Sequence, residues 1–239
     1  MYIPPVVTIE GNQLKAVENF KYLGSTISND ASFDVEINTR IARATAAFGR
    51  LTKRLWSNRN IRLDTKIGVY KAAVITTLLY GCGTWTLKKE QVRSLEKFHL
   101  ATLRKIARIK WFHKVTNYEV LARCNIPSIQ SMIDSPSLRW TGHVVRMRDE
   151  RIPKALLYGR LASGRSRGGN HKTYLNNIKS TLRACSIRCD RLEALASNRD
   201  HWRDTFKKGI ARAEADRTNR LIAKRERRKA RVALARQPT

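Results

Sequence analysis

The sequence predicts a mainly α-helical protein with a small β-hairpin or sheet at its N-terminus. Two observations predict this fold class. β-branched and apolar residues are interspersed with turn residues over the first 30 positions. Several later segments carry apolar residues at alternating spacings of four and three, which is the helical period. We therefore expect a small β unit, a helical bundle and then a basic helical C-terminal region.

The charge balance is the third observation, and it points to a partner. The 239 residues include 48 Lys and Arg against 19 Asp and Glu, so the formal net charge is +29. Such a surplus repels itself unless a polyanion neutralises it. Nucleic acid is the expected polyanion, and an anionic membrane surface is the alternative. Hydrophobic residues make up 42% of the chain, which is enough for a folded core.

The sequence gives no sign of export or membrane insertion. No stretch approaches the roughly 18 consecutive apolar residues that a spanning helix needs. The first five residues lack the basic and apolar regions of a signal peptide. Four cysteines in such a chain are expected to be free thiols. We expect a nuclear or cytoplasmic protein without a small-molecule substrate or a cofactor.

Strand signals occupy the N-terminal segment. Residues 6–10 and 14–17 have the β-branched and apolar strand pattern, and Gly11 provides a turn between them. A further strand is expected over 20–27, interrupted at Gly24. A glycine inside a strand often marks a bulge or the close approach of another backbone.

The best helix is predicted over 33–56. Its apolar seam is Ile37, Ile41, Ala44, Phe48, Leu51 and Leu55. The opposite side carries a cationic stripe of Arg43, Arg50, Lys53 and Arg54. Acidic residues in the first turn suit the helix dipole.

Two more helices follow, over 64–80 and 89–109. The inward residues of the first are Ile67, Tyr70, Val74 and Leu78, and a glycine-rich segment at 81–83 ends it. The apolar face of the second is Leu95, Phe98, Thr102, Leu103 and Ile106. Its other face carries a second cationic stripe of Arg93, Lys97, Arg104 and Arg108.

The rest of the chain is predicted to be helical but interrupted. Residues 116–147 read as helix with breaks near Pro127 and Pro136. Residues 164–172 form a basic, glycine-rich loop, and 200–236 form a long basic helix or tail. The basic run at 224–229 has little apolar periodicity and is expected to fold only on a partner. This organisation divides the chain into 1–30, 31–115, 116–163, 164–172 and 173–239.

The cationic stripes are the main functional signal. Lys and Arg on one face of an ordered helix can contact successive phosphates and release counterions. The alternative is a solvated helix face, but such faces normally mix both signs of charge. Phosphate contacts of this kind do not by themselves read base sequence. Arg165, Arg167 and Lys172 in the loop would either track a nucleic-acid strand or belong to an ordinary linker.

Aromatic and sulfur-containing residues are predicted to have packing roles. Trp85, Trp111 and Trp140 lie beside basic residues, yet we expect them to anchor helix junctions in the core rather than to stack on bases. Cys185 and Cys189 are four apart, but no complete zinc-ligand pattern surrounds them, and they read as small buried hydrophobes. His99 and His143 are expected to pack or to form hydrogen bonds.

Catalytic signals are missing from the sequence. It contains no Asp-Asp pair that could hold two metal ions and no phosphate-binding loop. The acidic residues at 30–36 read as a turn and a helix start, and nothing indicates a nucleophile triad. We expect no polymerase or nuclease centre and no metal site.

Four motifs, in order along the chain, resemble one protein family. They are FKYLGSTI at 20–27, YGCGTW at 80–85, His99 with Leu103 and Arg104, and RWTGHVVRM at 139–147. Together they resemble the C-terminal part of LINE-type, non-LTR retrotransposon endonuclease–reverse transcriptases, in particular the RTE-like group. The resemblance covers nearly the whole chain and is firmest over 14–150.

The resemblance implies a part of a polymerase. Residues 1–30 would be the trailing edge of the palm, with Tyr22, Leu23 and Gly24 near the primer-grip hairpin. Residues 31–115 would be the thumb that follows the template–primer duplex, and the remainder would bind element RNA or target DNA. The family's catalytic Asp-Asp motif, fingers and endonuclease would lie upstream of these matches.

This chain departs from the family pattern at four positions. Gly83 stands where relatives carry Glu, and Ala101 and Ala107 replace larger or charged residues. Pro136 intrudes before the Arg-Trp motif. These departures suggest decay of an unselected copy.

The sequence thus predicts a protein that binds RNA, DNA or a hybrid duplex through charge and catalyses nothing alone. Two alternatives remain open. The chain could complete an RNA-directed DNA polymerase whose palm is a separate polypeptide. It could also be a host-adapted scaffold whose seam at 37–55 pairs with another helix.

Overall fold

A computed structural model describes residues 7–30, 32–159 and 173–234, and its fold is mainly helical with two small N-terminal hairpins, as predicted. The strands are β1 (Thr8–Ile9), β2 (Asn12–Gln13), β3 (Asn19–Tyr22) and β4 (Ser25–Ser28). The α-helices are α1 (Asp34–Arg50), α2 (Leu63–Val69), α3 (Thr76–Leu78), α4 (Lys89–Ile106), α5 (Asn117–Arg123), α6 (Ile129–Val145), α7 (Ile152–Tyr158), α8 (Tyr174–Ala184), α9 (Leu192–Ser197) and α10 (Arg199–Leu234). Single π-helical segments extend α1 (Thr52–Trp56) and join α2 to α3 (Tyr70–Ile75). Short 3-10 turns lie at Cys82–Thr84, Trp111–His113 and Cys189–Arg191.

The second hairpin differs from the strand expected over 20–27. Leu23 and Gly24 both have positive φ, +47° and +84°, and form a tight turn between β3 and β4. Two consecutive positive φ values give the turn that matches the twist of a two-stranded ribbon. Gly24 therefore reverses the chain and does not interrupt a strand. Residues 14–17, also expected to be a strand, lie outside β2 because strand pairing ends at Gln13.

A buried ion pair docks this turn on α1. Glu36 and Arg40 are 1% and 3% exposed, and Arg40 Nε donates to Glu36 Oε1 at 2.7 Å. The other oxygen of Glu36 accepts from the Thr26 backbone N–H at 2.7 Å. Arg40 also donates to the Gly24 carbonyl at 2.8 Å and stacks 4.7 Å from the Tyr80 ring centroid. The sequence interpretation gave Glu36 a helix-dipole role only and missed this contact.

Helices α1 to α5 enclose the first core. The predicted seams are confirmed, since their apolar members are buried or partly buried in one cluster and Thr102 is buried as well. His99 is fully buried, and its Nδ1 shares a hydrogen bond of 2.9 Å with the Tyr70 hydroxyl. One boundary is wrong. Helix α4 ends at Ile106, not at Ile109, so Arg108 lies beyond it with a φ of +56°.

Helix α6 joins this core to a second one. Ile129 and Ile133 belong to the first core, while Leu138, Val144 and Val145 belong to the second. The break expected near Pro136 is wrong because α6 runs through it. A proline inside a helix loses one backbone hydrogen bond, and packing on both sides offsets that loss. The 3-10 turn at Cys82–Thr84 packs here, and a Cβ at Gly83 would lie 3.3 Å from the Pro136 carbonyl oxygen.

The second core holds α10 against α6. Trp202 is 2% exposed, and its Nε1 donates to the Leu138 carbonyl at 2.9 Å. Its indole lies directly over Gly142, where any Cβ would overlap the ring. Helix α10 has 36 residues in all, and the structure includes the basic run 224–229 in it. At 1.5 Å per residue it is about 54 Å long.

Replacing Gly142 with Ala should destabilise the fold by about 1–3 kcal/mol, because the new methyl group would displace Trp202. Gly68 is a matched control, since it is exposed on α2 with nothing within 4 Å of its Cβ position. Gly68→Ala should stabilise the protein by about 0.5–1 kcal/mol through helix propensity. Urea unfolding of both variants measures the difference. Equal effects would contradict the packing of α10 on α6.

Truncating Glu36 to Ala should cost about 3–5 kcal/mol, because Arg40 would keep a buried charge without its carboxylate. The exposed first-turn residue Glu90 of α4 provides the control. Glu90→Ala should cost less than about 1 kcal/mol. Hydrogen exchange at the Thr26 amide should also accelerate in the Glu36 variant only. An unchanged Thr26 amide would show that the ion pair does not hold the hairpin.

Candidate nucleic-acid interface

The stripe on α1 and its π extension is largely free. Arg50, Lys53 and Arg54 are exposed. Arg43 is half-buried instead and donates to the Gly24 carbonyl at 2.9 Å, so it helps to hold the hairpin turn. Two other predicted positions, Tyr22 and Leu23, project from that turn and are 58% and 74% exposed. The Gly24 carbonyl accepts hydrogen bonds from Arg40 and Arg43.

The second predicted stripe also contains both exposed cations and cations that are hydrogen-bonded to the fold. Arg93 and Lys97 are exposed on α4. Arg104 is half-buried and donates to Asn117 Oδ1 at 2.7 Å, which ties α4 to α5. Arg108 donates to the Ser57 carbonyl at 2.7 Å from beyond the helix end. Within the described residues, none of the eight predicted cations on the two stripes forms an ion pair.

Helix α10 brings further cations beside Arg93. A groove of 590 Å³ has Lys89, Arg93, Arg217 and Arg220 in its lining. Its wall contains Asp134, whose pKa is raised to about 6 because the carboxyl group is buried. The described lining thus has one carboxylate and four cations, and Arg217 also contacts Glu214 at 3.5 Å, so the positive charge is partly offset.

A second groove lies between the C-terminal half of α6 and the start of α10. It has a volume of 780 Å³ and contains three aromatic rings. Its cationic and imidazole side chains are Arg139, His143, Arg146, Arg199, Arg203 and Lys207. No carboxylate is among the described residues that line it. We call this the α6–α10 cleft.

The charges in the α6–α10 cleft are poorly compensated. Burial and the neighbouring Arg199 both lower the pKa of Arg146, which donates to the Ala196 carbonyl at 2.6 Å. A carbonyl offers a dipole but no full negative charge. Arg203 does contact Asp200 at 3.3 Å, but that carboxylate is 84% exposed and outside the lining. Trp140 lies half-buried in the same cleft with its ring 5.3 Å from that of His143. The cleft thus offers positive charge and aromatic faces to an anionic ligand.

The sequence interpretation missed this cleft as a site. Arg139, His143 and Arg146 follow helical spacing on one face, and Arg199, Arg203 and Lys207 do so on another. That spacing could have indicated two basic faces. It could not indicate that they meet, because about 60 positions separate them in the chain. The predicted loop cations Arg165, Arg167 and Lys172 lie outside the described residues.

The tryptophan prediction is right for one position and wrong for another. Trp85 is 3% exposed in the first core, and Trp140 is half-buried. Trp111 is 89% exposed on the 3-10 turn after α4. It leaves the core because the short turn holds it outside while Ile109, two residues earlier, is buried.

The two cysteines singled out in the sequence line neither groove. Cys185 is buried in the second core, and Cys189 packs against it. In the part of the chain that the structure describes, no three His, Cys, Asp or Glu side chains cluster as metal ligands would. None of the described helices is long and apolar enough to cross a membrane.

Neutralising Arg199 should stabilise the protein at low salt, because it removes repulsion from Arg146. The expected result for Arg199→Gln is a higher urea midpoint whose advantage disappears as salt screens the charges. Arg188 is the control, since its exposed guanidinium is paired with Asp190 at 2.7 Å. Arg188→Gln should leave the midpoint unchanged or slightly lower it. A lower midpoint for Arg199→Gln would mean that the cleft is internally compensated.

Comparison of the chain with models of known protein families, with curated proteins and with solved structures found no match.

Proposed function

We propose that this chain binds nucleic acid through its basic surface, as the thumb and C-terminal part of a LINE-type reverse transcriptase, and has no polymerase centre of its own. The observation that carries the proposal is the α6–α10 cleft, where cations and aromatic rings meet and none of the described lining residues is a carboxylate. A phosphate backbone supplies the missing negative charge, and its bases supply π-faces.

The arrangement of the grooves favours an extended polyanion. Helix α10 contributes Arg203 and Lys207 to one groove and Arg217 and Arg220 to the other. On α4, the exposed cation Arg93 lines the groove that contains Arg217 and Arg220. Concave, cation-lined surfaces follow a nucleic-acid backbone better than they follow a flat bilayer, which supports nucleic acid over an anionic membrane.

The exposed face of the hairpins supports a place within a larger polymerase. The following side chains are each about half exposed or more: Val7, Ile9, Leu14, Val17, Phe20, Tyr22, Leu23 and Ile27. Two-stranded sheets with apolar residues in solvent are only marginally stable alone. They fit the edge of a larger sheet, which is the role that the family resemblance implies for residues 1–30.

The scaffold alternative loses its main support. Its proposed pairing seam at 37–55 is packed inside the first core, where Ile37 and Phe48 are 2% and 7% exposed. A partner helix could reach those residues only after the bundle had opened.

Binding should be tight at low salt and should weaken steeply as salt rises. With roughly 6–10 phosphate contacts, the affinity should fall by orders of magnitude between about 50 and 200 mM salt. Fluorescence anisotropy with single-stranded RNA, duplex DNA and an RNA–DNA hybrid would measure the slope. The same preparation should incorporate no nucleotide above a boiled control.

A pair of double variants locates the binding. Arg139→Gln/Arg199→Gln removes two exposed cations from the cleft, and it should lower the salt slope by about two. Arg62→Gln/Arg188→Gln removes the same formal charge from arginines already paired with Asp64 and Asp190. That control should bind almost as wild type does. Equal losses in both variants would refute the cleft as the site.

A further inference from the structure

The turn between α4 and α5 exposes two large aromatic rings. Trp111 is 89% exposed and Phe112 is 58% exposed. Burying an aromatic side chain is strongly favourable, so an ordered turn that keeps two of them in water lacks a partner for them.

The turn is held in place rather than loosely extended. The Lys110 backbone N–H donates to His113 Nδ1 at 3.1 Å, and the Lys114 N–H donates to the Trp111 carbonyl at 3.2 Å. Arg108 and Lys114 adopt left-handed φ values of +56° and +50° on either side. Ile109 and Val115 anchor the two ends of the turn in the first core. The backbone therefore fixes where the rings project.

The rings contact one another by their edges, which leaves faces available. The Trp111 and Phe112 centroids are 6.0 Å apart with an interplanar angle of 80°. Phe112 and His113 are 4.6 Å apart at 83°. No face-to-face stack within this group covers the indole.

The surroundings of the turn are positively charged. Its exposed neighbours in sequence are Lys105, Arg108, Lys110 and Lys114. No Asp or Glu occurs from residue 97 to residue 118. An apolar partner surface on another protein would meet four cations here, and charged residues are depleted from the centres of protein interfaces. An anionic partner with flat apolar faces fits better.

We propose that Trp111, with Phe112 beside it, stacks on an unpaired base of a bound nucleic acid. This inference rests on the proposed function and adds that single-stranded or unpaired nucleotides have a dedicated contact. A base offers a π-face to the indole while its phosphates meet the lysines on either side. A bilayer is disfavoured because a three-residue turn lacks the broad apolar face of an interfacial helix.

The turn continues the cationic surface of α4. Arg93 and Lys97 lie along the helix, and the turn follows its C-terminal end. Arg104 fixes that relation by donating to the Val115 carbonyl at 3.3 Å and to Asn117. A strand bound along α4 would reach the aromatic turn at the end of the helix.

Trp111→Ala should weaken binding to a single strand by roughly 5- to 150-fold, the range for one lost aromatic–base stack. Binding to a blunt duplex should be unchanged, because its bases are already stacked. Trp111→Phe should retain most of the affinity because it keeps a ring. Leu156→Ala is the control, since Leu156 is a 76% exposed apolar residue elsewhere on the surface. It should bind like wild type, and circular dichroism would check that all variants fold.

A strand containing abasic sites separates stacking from charge. Wild type and Trp111→Ala should bind that strand equally, with the same salt slope. A Trp111→Ala variant that binds the ordinary single strand like Leu156→Ala would overturn the stacking inference while charge-driven binding stands. Wild type that binds none of the nucleic acids would overturn the proposed function itself. A loss confined to vesicles containing anionic lipid would assign the turn to a membrane surface and also overturn the inference.

Discussion

The structure depends on keeping a large surplus of positive charge at the surface while two apolar cores close beneath it. In the part of the chain that the structure describes, the fully buried basic side chains are Arg40 and Lys66, and both have strong acceptors. Arg40 has the Glu36 carboxylate and the Gly24 carbonyl. Lys66, 4% exposed, donates to the Trp56 and Asn58 carbonyls at 3.2 and 2.6 Å. Burial and the nearby Arg108 lower the pKa of Lys66, so even this arrangement carries a cost. The other cations of the described residues are exposed or half-buried, and their mutual repulsion opposes folding.

Helix α6 packs in both cores and also carries cations of the α6–α10 cleft. Its first half completes one core, and its second half supports the other while one face carries Arg139, His143 and Arg146. The close crossing of α10 needs Gly142, because Trp202 occupies the space of a side chain. Gly83 and Pro136, which both depart from the pattern of the family that the sequence resembles, lie against each other at α6. Because these two residues contact each other inside a packed fold, they are poor evidence for two independent steps of decay.

Much of the fold could be predicted because helical periodicity directly records which side is buried. The seams of α1, α2 to α3 and α4 followed from spacing alone. The errors occur where a local rule competes with packing. Proline usually breaks a helix, but tertiary contacts on both sides keep Pro136 within α6. Glycine in a strand pattern suggests a bulge, but the positive φ of Leu23, which no propensity predicts, turns that segment into a hairpin. Trp111 illustrates the same limit, since its type favours burial and only its position on an anchored turn exposes it.

The candidate site was harder to predict because its charge comes from segments that are distant in sequence. Each cationic stripe was predicted from a single helix. Three of the eight predicted cations, Arg43, Arg104 and Arg108, donate to backbone carbonyls of the fold. The α6–α10 cleft arises only when two basic faces converge. Along α10, Arg203 and Arg217 are 14 residues apart, which corresponds to about 21 Å of helix. That distance is shorter than one turn of duplex, about 34 Å. The helix that closes the second core therefore also sets the axial spacing between the α10 cations of the two grooves.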